Sequence, residues 1–227
     1  MLPNSKPIYS QCIHCQSNFV TKSGRTQSGK QRFYCNQCGR RFVERYTYNA
    51  HNKDINQQIV LFVKEGLGIR SIARVLKISA TTVINRIKKI ARKVKLSSIV
   101  KHQSYEVDEI RTFIKQKEKL VWVVYALERQ SRTVVSFAVG PRTNNTLNIV
   151  LQTLVLSDAC NIHTDKLKNY RYLIHSDIHK TNRYGTNHIE RNNLTLRTHL
   201  KRLNRRTICF SKSIVMLKAC LAIYFFG

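Results

Sequence analysis

The chain has 227 residues, 40 lysines and arginines against 12 aspartates and glutamates, a formal net charge of +28, and 42% hydrophobic residues. That much apolar material excludes a disordered cationic polymer, and so large a positive charge points to a polyanionic partner such as nucleic acid. No window of 18 apolar residues exists, and Met1-Leu2-Pro3-Asn4-Ser5-Lys6 lacks the apolar run of a signal peptide; a cytoplasmic protein without a membrane partner is expected.

Taken in order, the first informative feature is a pair of CxxC motifs, Cys12-Ile13-His14-Cys15 and Cys35-Asn36-Gln37-Cys38. Two thiolates at that spacing in a tight turn hold two corners of a tetrahedral zinc, and a second pair closes the site. Phe19-Val20 and Gln31-Arg32-Phe33-Tyr34 read as short strands, with turn signals at Ser23-Gly24 and Ser28-Gly29. Residues 1–48 are therefore predicted to be a zinc ribbon with Cys12, Cys15, Cys35 and Cys38 as ligands and His14 facing solvent. Its folding energy is expected to come from the metal. Lys22, Arg25, Lys30, Arg32, Arg40, Arg41 and Arg45 make it a cationic surface suited to phosphates. Disulfides are the competing reading, which a cytosolic compartment disfavours. The isolated Cys160, Cys209 and Cys220 read as buried thiols.

Residues 49–98 read as a helix-turn-helix DNA-binding domain after a polar linker, Asn49 to Asp54. Ile55, Ile59, Val60, Phe62 and Val63 recur at helical spacing. A short helix over 68–76 and another from Ser79 flank the turn Lys77-Ile78-Ser79, with Ser79 as N-cap. Ile72, Ala73, Leu76, Ile78, Val83 and Ile87 supply the apolar wedge between them. Thr81, Thr82, Asn85, Arg86 and Lys89 stay outside as DNA-contacting candidates for a helix that enters the major groove. A helical hairpin that merely packs is the plainer alternative.

Residues 99–227 change character. Ser104 to Ile114, Lys119 to Glu128 and Arg132 to Gly140 read as an antiparallel meander, Thr143 to Leu156 as a helix and Ala159 to Thr164 as a strand. Tyr170 to His175 is a candidate fifth strand, and helices are expected from His188 and from Ser211. That order is the order of an RNase H-like domain, so the expected fold class is α+β multidomain: zinc ribbon, helix-turn-helix and an RNase H-like α/β catalytic domain. Two-metal phosphoryl chemistry needs carboxylates from separate segments. Asp108 in the first strand, Asp165 at the end of the fourth and Glu190 on a later helix are placed to meet. Glu190 is the only acidic residue after Asp177. Arg197, seven residues on, shares its helix face and can hold a phosphate.

The order CxxC, CxxC, helix-turn-helix, Val107-Asp108-Glu109, His163-Thr164-Asp165 and His188-Ile189-Glu190-Arg191-Asn192-Asn193-Leu194-Thr195-Leu196-Arg197 resembles the transposases of the insertion-sequence-one type. The block from Arg202-Leu203-Asn204-Arg205-Arg206 through Phe210-Ser211-Lys212-Ser213 extends the match over nearly the whole chain. The resemblance implies that Asp108, Asp165 and Glu190 are a DDE triad using magnesium or manganese, with Arg197 as the basic residue that follows it. It implies cleavage at element ends, joining of the freed 3′-hydroxyl to target DNA, and recognition of terminal inverted repeats by the ribbon and helix-turn-helix. A homo-oligomer holding paired ends and a bacterial, nucleoid-associated location are implied with it. The basic turn Lys166-Leu167-Lys168 departs from the family pattern.

Several alternatives stand beside these assignments. On an alternating strand Glu106 shares the face of Asp108 while Glu109 points away, and Asp177 is the rival to Asp165. Glu190 is otherwise an exposed ion-pair partner of Arg191 or Arg197. A metal-dependent nuclease or resolvase of the same fold, and a catalytically silent DNA-binding regulator, are the competing functions.

Overall fold

The computed structural model describes residues 11–43, 47–96, 99–204 and 206–227. Residues 1–6 of the opening segment, Arg45 of the cationic ribbon surface and Arg205 of the carboxyl-terminal block lie outside the described residues. The chain divides into two compact units, 1–51 and 52–227.

The first unit is a three-stranded antiparallel sheet of β1 (Val20–Arg25), β2 (Gln31–Cys35) and β3 (Arg41–Val43) in that order. Ser23-Gly24 falls inside β1, where the pairing with β2 shifts register between Lys22 and Arg25. The glycine sits at φ +70°, so this turn signal marks a bulge in the strand. β3 was not anticipated, being too short to show a period. Among the described residues Cys12, Phe33, Cys35 and Phe42 form the buried cluster, with Val20 and Cys38 packed against it and Phe33 and Phe42 stacked. A core of that size does not sustain a fold alone.

The second unit opens with α1 (Ile55–Lys64), α2 (Ile69–Leu76) and α3 (Ala80–Ala91). Ile72, Leu76, Ile78, Val83 and Ile87 are buried, forming the wedge the spacing predicts, while Ala73 is half-buried. Ser79 Oγ accepts the Thr82 amide at 3.0 Å, capping α3. Lys77 takes the left-handed conformation at φ 53° that closes α2.

The remaining residues build a five-stranded mixed sheet. The meander β4 (Ser104–Ile114), β5 (Gln116–Glu128) and β6 (Val134–Gly140) is followed by α4 (Asn144–Leu156), β7 (Asn161–Thr164), α5 (Lys168–Leu173), β8 (His179–Lys180), α6 (Asn187–His199) and α7 (Ile214–Phe226). Strand order is β6-β5-β4-β7-β8, with β4, β7 and β8 mutually parallel. Both faces are covered, which is why β5 reads as a nearly unbroken apolar run. Tyr105, Val107, Val124 and Ala126 face α4 and α5. Ile110, Val123, Tyr125 and Leu127 face α6 and α7. The alternation is strict, so even-numbered positions of β4 look toward α6 and odd-numbered ones toward α4 and α5.

Two expectations are corrected here. Tyr170 to His175 is not a strand: its first part belongs to α5, with Tyr170 fully buried among sheet and helix side chains. Tertiary burial outweighs the strand propensity of Tyr-Arg-Tyr-Leu-Ile. The fifth strand is instead the two-residue β8. Cys160 and Cys209 are exposed, sitting in connections before β7 and α7, and of these three isolated cysteines Cys220 alone is buried.

α7 joins the middle helices to the sheet. It packs against α1 and α3 and also contacts β6, so the helix-turn-helix and the sheet form one body. At Gly66, just past α1, the chain runs so close to α6 that a Cβ would lie 1.8 Å from the His199 carbonyl oxygen. With φ at +70°, this position accepts only glycine.

Candidate metal centres and nucleic-acid interface

The four ribbon cysteines converge from two turns. Cys12 and Cys38 sulfurs lie 3.7 Å apart and Cys15 and Cys35 sulfurs 3.5 Å apart, and one sulfur of each cysteine lies within 4.8 Å of all the others. A tetrahedron with zinc–sulfur bonds of about 2.3 Å has edges of about 3.8 Å, whereas a disulfide bond is about 2.0 Å long. The donor set therefore fits zinc, and the cysteines are free thiols. The His14 amide points at Cys12 Sγ from 3.4 Å. The Cys35 thiol is lowered to about 6, first by the backbone amide of Cys38, while burial and the neighbouring thiols raise its partner Cys15. Such amide donors stabilise thiolate, the form that binds metal. His14 is exposed, as expected where four cysteines are available as ligands.

A second group of oxygens gathers at the carboxyl end of β7. Carboxylate oxygens of Asp108, Glu109 and Asp165 lie within 4.8 Å of one another. β7 pairs with β4 only as far as Val107↔Thr164. Beyond that point β4 continues alone on this side. The gap at the strand end is where side chains from both faces of β4 can converge, as happens at carboxyl ends of parallel strands. Asp108 faces α6 and Glu109 faces α5, as alternation requires, yet the glutamate is long enough to bring its carboxylate back to the shared edge. Glu109 lies on the opposite face from Asp108, as the alternation predicts, and the reach of its carboxylate into the acidic group is what the strand pattern does not show.

Each member is held. The Asp165 carboxylate accepts the Leu167 amide at 2.9 Å, so the turn Lys166-Leu167-Lys168 fixes it. Glu109 accepts the Tyr170 hydroxyl at 2.8 Å and Arg142 Nη2 at 3.1 Å, and its side chain is only 2% exposed. Burial pushes the Tyr170 phenol up, keeping it a donor. Asp108 accepts its neighbour's amide at 2.7 Å and the Asn193 side-chain amide at 2.6 Å. The orientation of Asn193 is set by Tyr125, whose hydroxyl donates to Asn193 Oδ1 at 2.7 Å and leaves Nδ2 for the aspartate.

The electrostatics fit a divalent cation. The Asp108 carboxyl is pushed up to about 6, first by burial and then by the neighbouring charges of Glu109 and Asp165. Burial, with the charge of Asp165 adding to it, raises Glu109 as well. Oxygen ligands whose mutual repulsion is relieved by a hard cation are the donor set of magnesium or manganese.

The other site candidates are placed as follows. Glu190 is not in the acidic group: it is exposed in the first turn of α6, its Oε1 accepting the Thr186 hydroxyl at 2.8 Å. It lies three residues before Asn193, hence on the same helix face. Arg197 Nη1 donates to the Leu203 carbonyl at 2.8 Å. Asp177 is exposed beside His175 at 3.3 Å and outside the group. Of the α3 candidates, Thr81, Asn85 and Lys89 are exposed, while Thr82 and Arg86 are half-buried. Arg86 reaches Asn56 of α1 at 3.1 Å.

Residues 101–225 match the family described as IS1 transposase, and residues 46–91 match the one described as InsA C-terminal domain. The chain belongs to the IS1 transposase family. Insertion element iso-IS1n protein InsB of Shigella dysenteriae is 38% identical over 109 residues, covering 48% of this chain and 83% of that protein. Insertion element IS1 2 protein InsB of Escherichia coli K12 is 36% identical over 109 residues, 48% of this chain and 65% of that protein. Among solved structures, the HTLV-2 integrase catalytic core domain in complex with magnesium is similar at 16% identity and a TM-score of 0.35, over 55% of this chain and 86% of that one.

The family match spans the acidic group and the InsA-type match spans α1 to α3. Sequence reasoning for this transposase family member weighed Glu109 only as a rival of Asp108 and missed Tyr170, Arg142 and Asn193. Asn193 alone left a signal, its three-residue spacing from Glu190. Among the described residues no helix is long and apolar enough to cross a membrane.

Proposed function

We propose that this protein is a DNA transposase that binds the terminal inverted repeats of an insertion sequence and carries out metal-dependent strand cleavage and transfer into target DNA. The observation that carries the reading is the Asp108–Glu109–Asp165 group at the end of β7, with Asp108 bonded to Asn193 of α6. Family membership supports it, and so does the sheet order with its antiparallel meander followed by parallel strands, the order of an RNase H-like domain.

In this reading Asp108 and Asp165 would hold magnesium or manganese, which would supply activation of the attacking hydroxyl and offset charge on the leaving oxygen. Glu190 completes the DDE triad by turning from Thr186 toward the face on which Asn193 already reaches Asp108. Arg197 supplies positive charge for a phosphate on the same side of α6. Glu109, clasped by Tyr170 and Arg142, keeps negative charge beside the two aspartates. Zinc in the four-cysteine site builds the ribbon. Thr81, Thr82, Asn85, Arg86 and Lys89 of α3 lie toward DNA, and a homo-oligomer holds the paired ends. A cytoplasmic, nucleoid-associated location follows from a DNA substrate.

The test is a cleavage and strand-transfer assay on DNA carrying the inverted repeats that flank the gene. Asp108→Asn, Asp165→Asn and Glu190→Gln each abolish cleavage, a loss of at least about 1000-fold, while end binding is retained. Cleavage by the Glu190→Gln protein removes that residue from the triad. Cutting without joining makes the protein a nuclease, and binding without cutting makes it a regulator.

A further inference from the structure

Glu106 is fully buried in the β4 strand, two residues before Asp108 on the same face. A buried carboxylate is tolerated only when its oxygens are satisfied, and its partners here come from the end of β5 and the first turn of α6. Oε1 accepts Arg129 Nε at 3.0 Å, from the end of β5, and His188 Nδ1 at 2.8 Å, from α6. Oε2 accepts the backbone amide of Ile189 at 2.9 Å. Arg129 then extends to β7, where Nη1 donates to His163 Nε2 at 2.9 Å.

The Ile189 amide is the third of α6, one of the first-turn donors that no helical carbonyl can satisfy. The residue at the N-cap position, Thr186, makes no side-chain cap; its hydroxyl goes to Glu190 instead. α6 therefore takes its capping carboxylate from the neighbouring strand. A negative charge at that end is also favoured by the helix dipole. The capped amide lies between His188, which binds the same carboxylate, and Glu190, the third member of the proposed triad.

We infer that Glu106 is a positioning residue for the catalytic centre: by binding Ile189 and His188 it fixes the first turn of α6, and hence Glu190 and Asn193, at a set distance from Asp108. It touches no metal or substrate in this role. The strand that carries the first aspartate also carries this anchor, which adds to the Asn193–Asp108 and Tyr125–Ile189 bonds that tie α6 to the sheet. The inference rests on the transposase reading.

The experiment uses the full, zinc-loaded chain with Glu106→Gln, and compares three quantities with wild type: the thermal midpoint, manganese affinity by electron paramagnetic resonance, and the magnesium dependence of end cleavage. Glutamine keeps one oxygen for the Ile189 amide but turns a donor toward Arg129 and His188. The expected result is a folded protein that binds element ends normally, with manganese affinity down about tenfold, the scale for residues that orient ligands, and a correspondingly raised magnesium requirement. His188→Gln, at a partly exposed position, removes one partner without emptying the core and shifts both metal readouts in the same direction by about threefold, less than the loss of a whole orienting group. It decides the matter if Glu106→Gln does not fold. Folded variants with wild-type manganese affinity and magnesium dependence overturn the inference while leaving the transposase reading intact. A wild-type protein that neither binds manganese nor cleaves overturns the transposase reading itself.

Discussion

The chain holds two candidate metal sites built on opposite principles. In the ribbon, four sulfurs come from two short turns within 27 residues, around a core of two phenylalanines and two of the cysteines themselves. In the second unit, oxygens of Asp108, Glu109 and Asp165 are gathered by a sheet whose two faces are each sealed by helices. In the ribbon the candidate ligands make up half of the buried cluster, while in the sheet the candidate ligands sit on a core that is complete without them. Soft thiolates suit a structural zinc with all positions closed, while carboxylates suit a hard, exchangeable cation with room for substrate oxygens.

The comparison predicts that metal removal acts on one unit and not on the other. The largest effect is expected from Cys12→Ser with Cys15→Ser, or from chelation. The ribbon loses its zinc and its structure, while residues 52–227 keep a cooperative melt. Zinc content and calorimetry check this, and a single joint transition lost on chelation breaks the distinction. Next comes Gly66→Ala, which forces a side chain against the His199 carbonyl at a left-handed backbone position. It is expected to destabilise the second unit by about 3 kcal/mol and to leave zinc binding unchanged. Melting of the variant with zinc intact separates the units again.

A smaller, graded effect is expected from pH. The Asp108 carboxyl lies at about 6, above its ordinary 3.8, because burial and the neighbouring carboxylates disfavour its charge. In metal-free protein the ionised form is penalised by folding, so the contribution of this group to stability is fully present below about 3.8 and is lost as pH rises through about 6. Metal binding runs the other way. Manganese affinity and cleavage fall as pH drops through about 6, and excess ion moves the midpoint lower. An affinity flat from pH 5 to 8 excludes Asp108 as a ligand. The smallest effect is expected from Ser79→Ala, about 1 kcal/mol from loss of the Thr82 cap. It is measured by denaturant melting of the second unit, with catalysis in metal unaltered.

Much of the helix-turn-helix was readable because its determinants are local. Ser79 caps the helix that it precedes, and Ile72, Leu76, Ile78, Val83 and Ile87 are buried where helical spacing puts them. The same holds for the cysteines, whose spacing fixes which turn each occupies. The meander was legible from apolar runs. α5 was not, because Tyr170 is held by Glu109, 61 residues away, and nothing near Tyr170 encodes that contact. β8 was missed because two residues carry no period.

The sequence by itself determined the pairing of the four ribbon cysteines, the turn and cap of α3 and the family, and it offered Asp108 and Asp165 as candidates for one site. Those are short-range patterns, or motifs whose chemistry is written in residue type and spacing. Only the tertiary structure decided that Glu109 joins the two aspartates, that Asn193 and Tyr125 orient Asp108, that Glu106 caps α6, and that α7 and Gly66 weld the middle helices to the sheet. Each depends on where β7 ends beside β4 or how closely two helices approach. Such distances are set by packing across the whole unit, and no local window of residues specifies them.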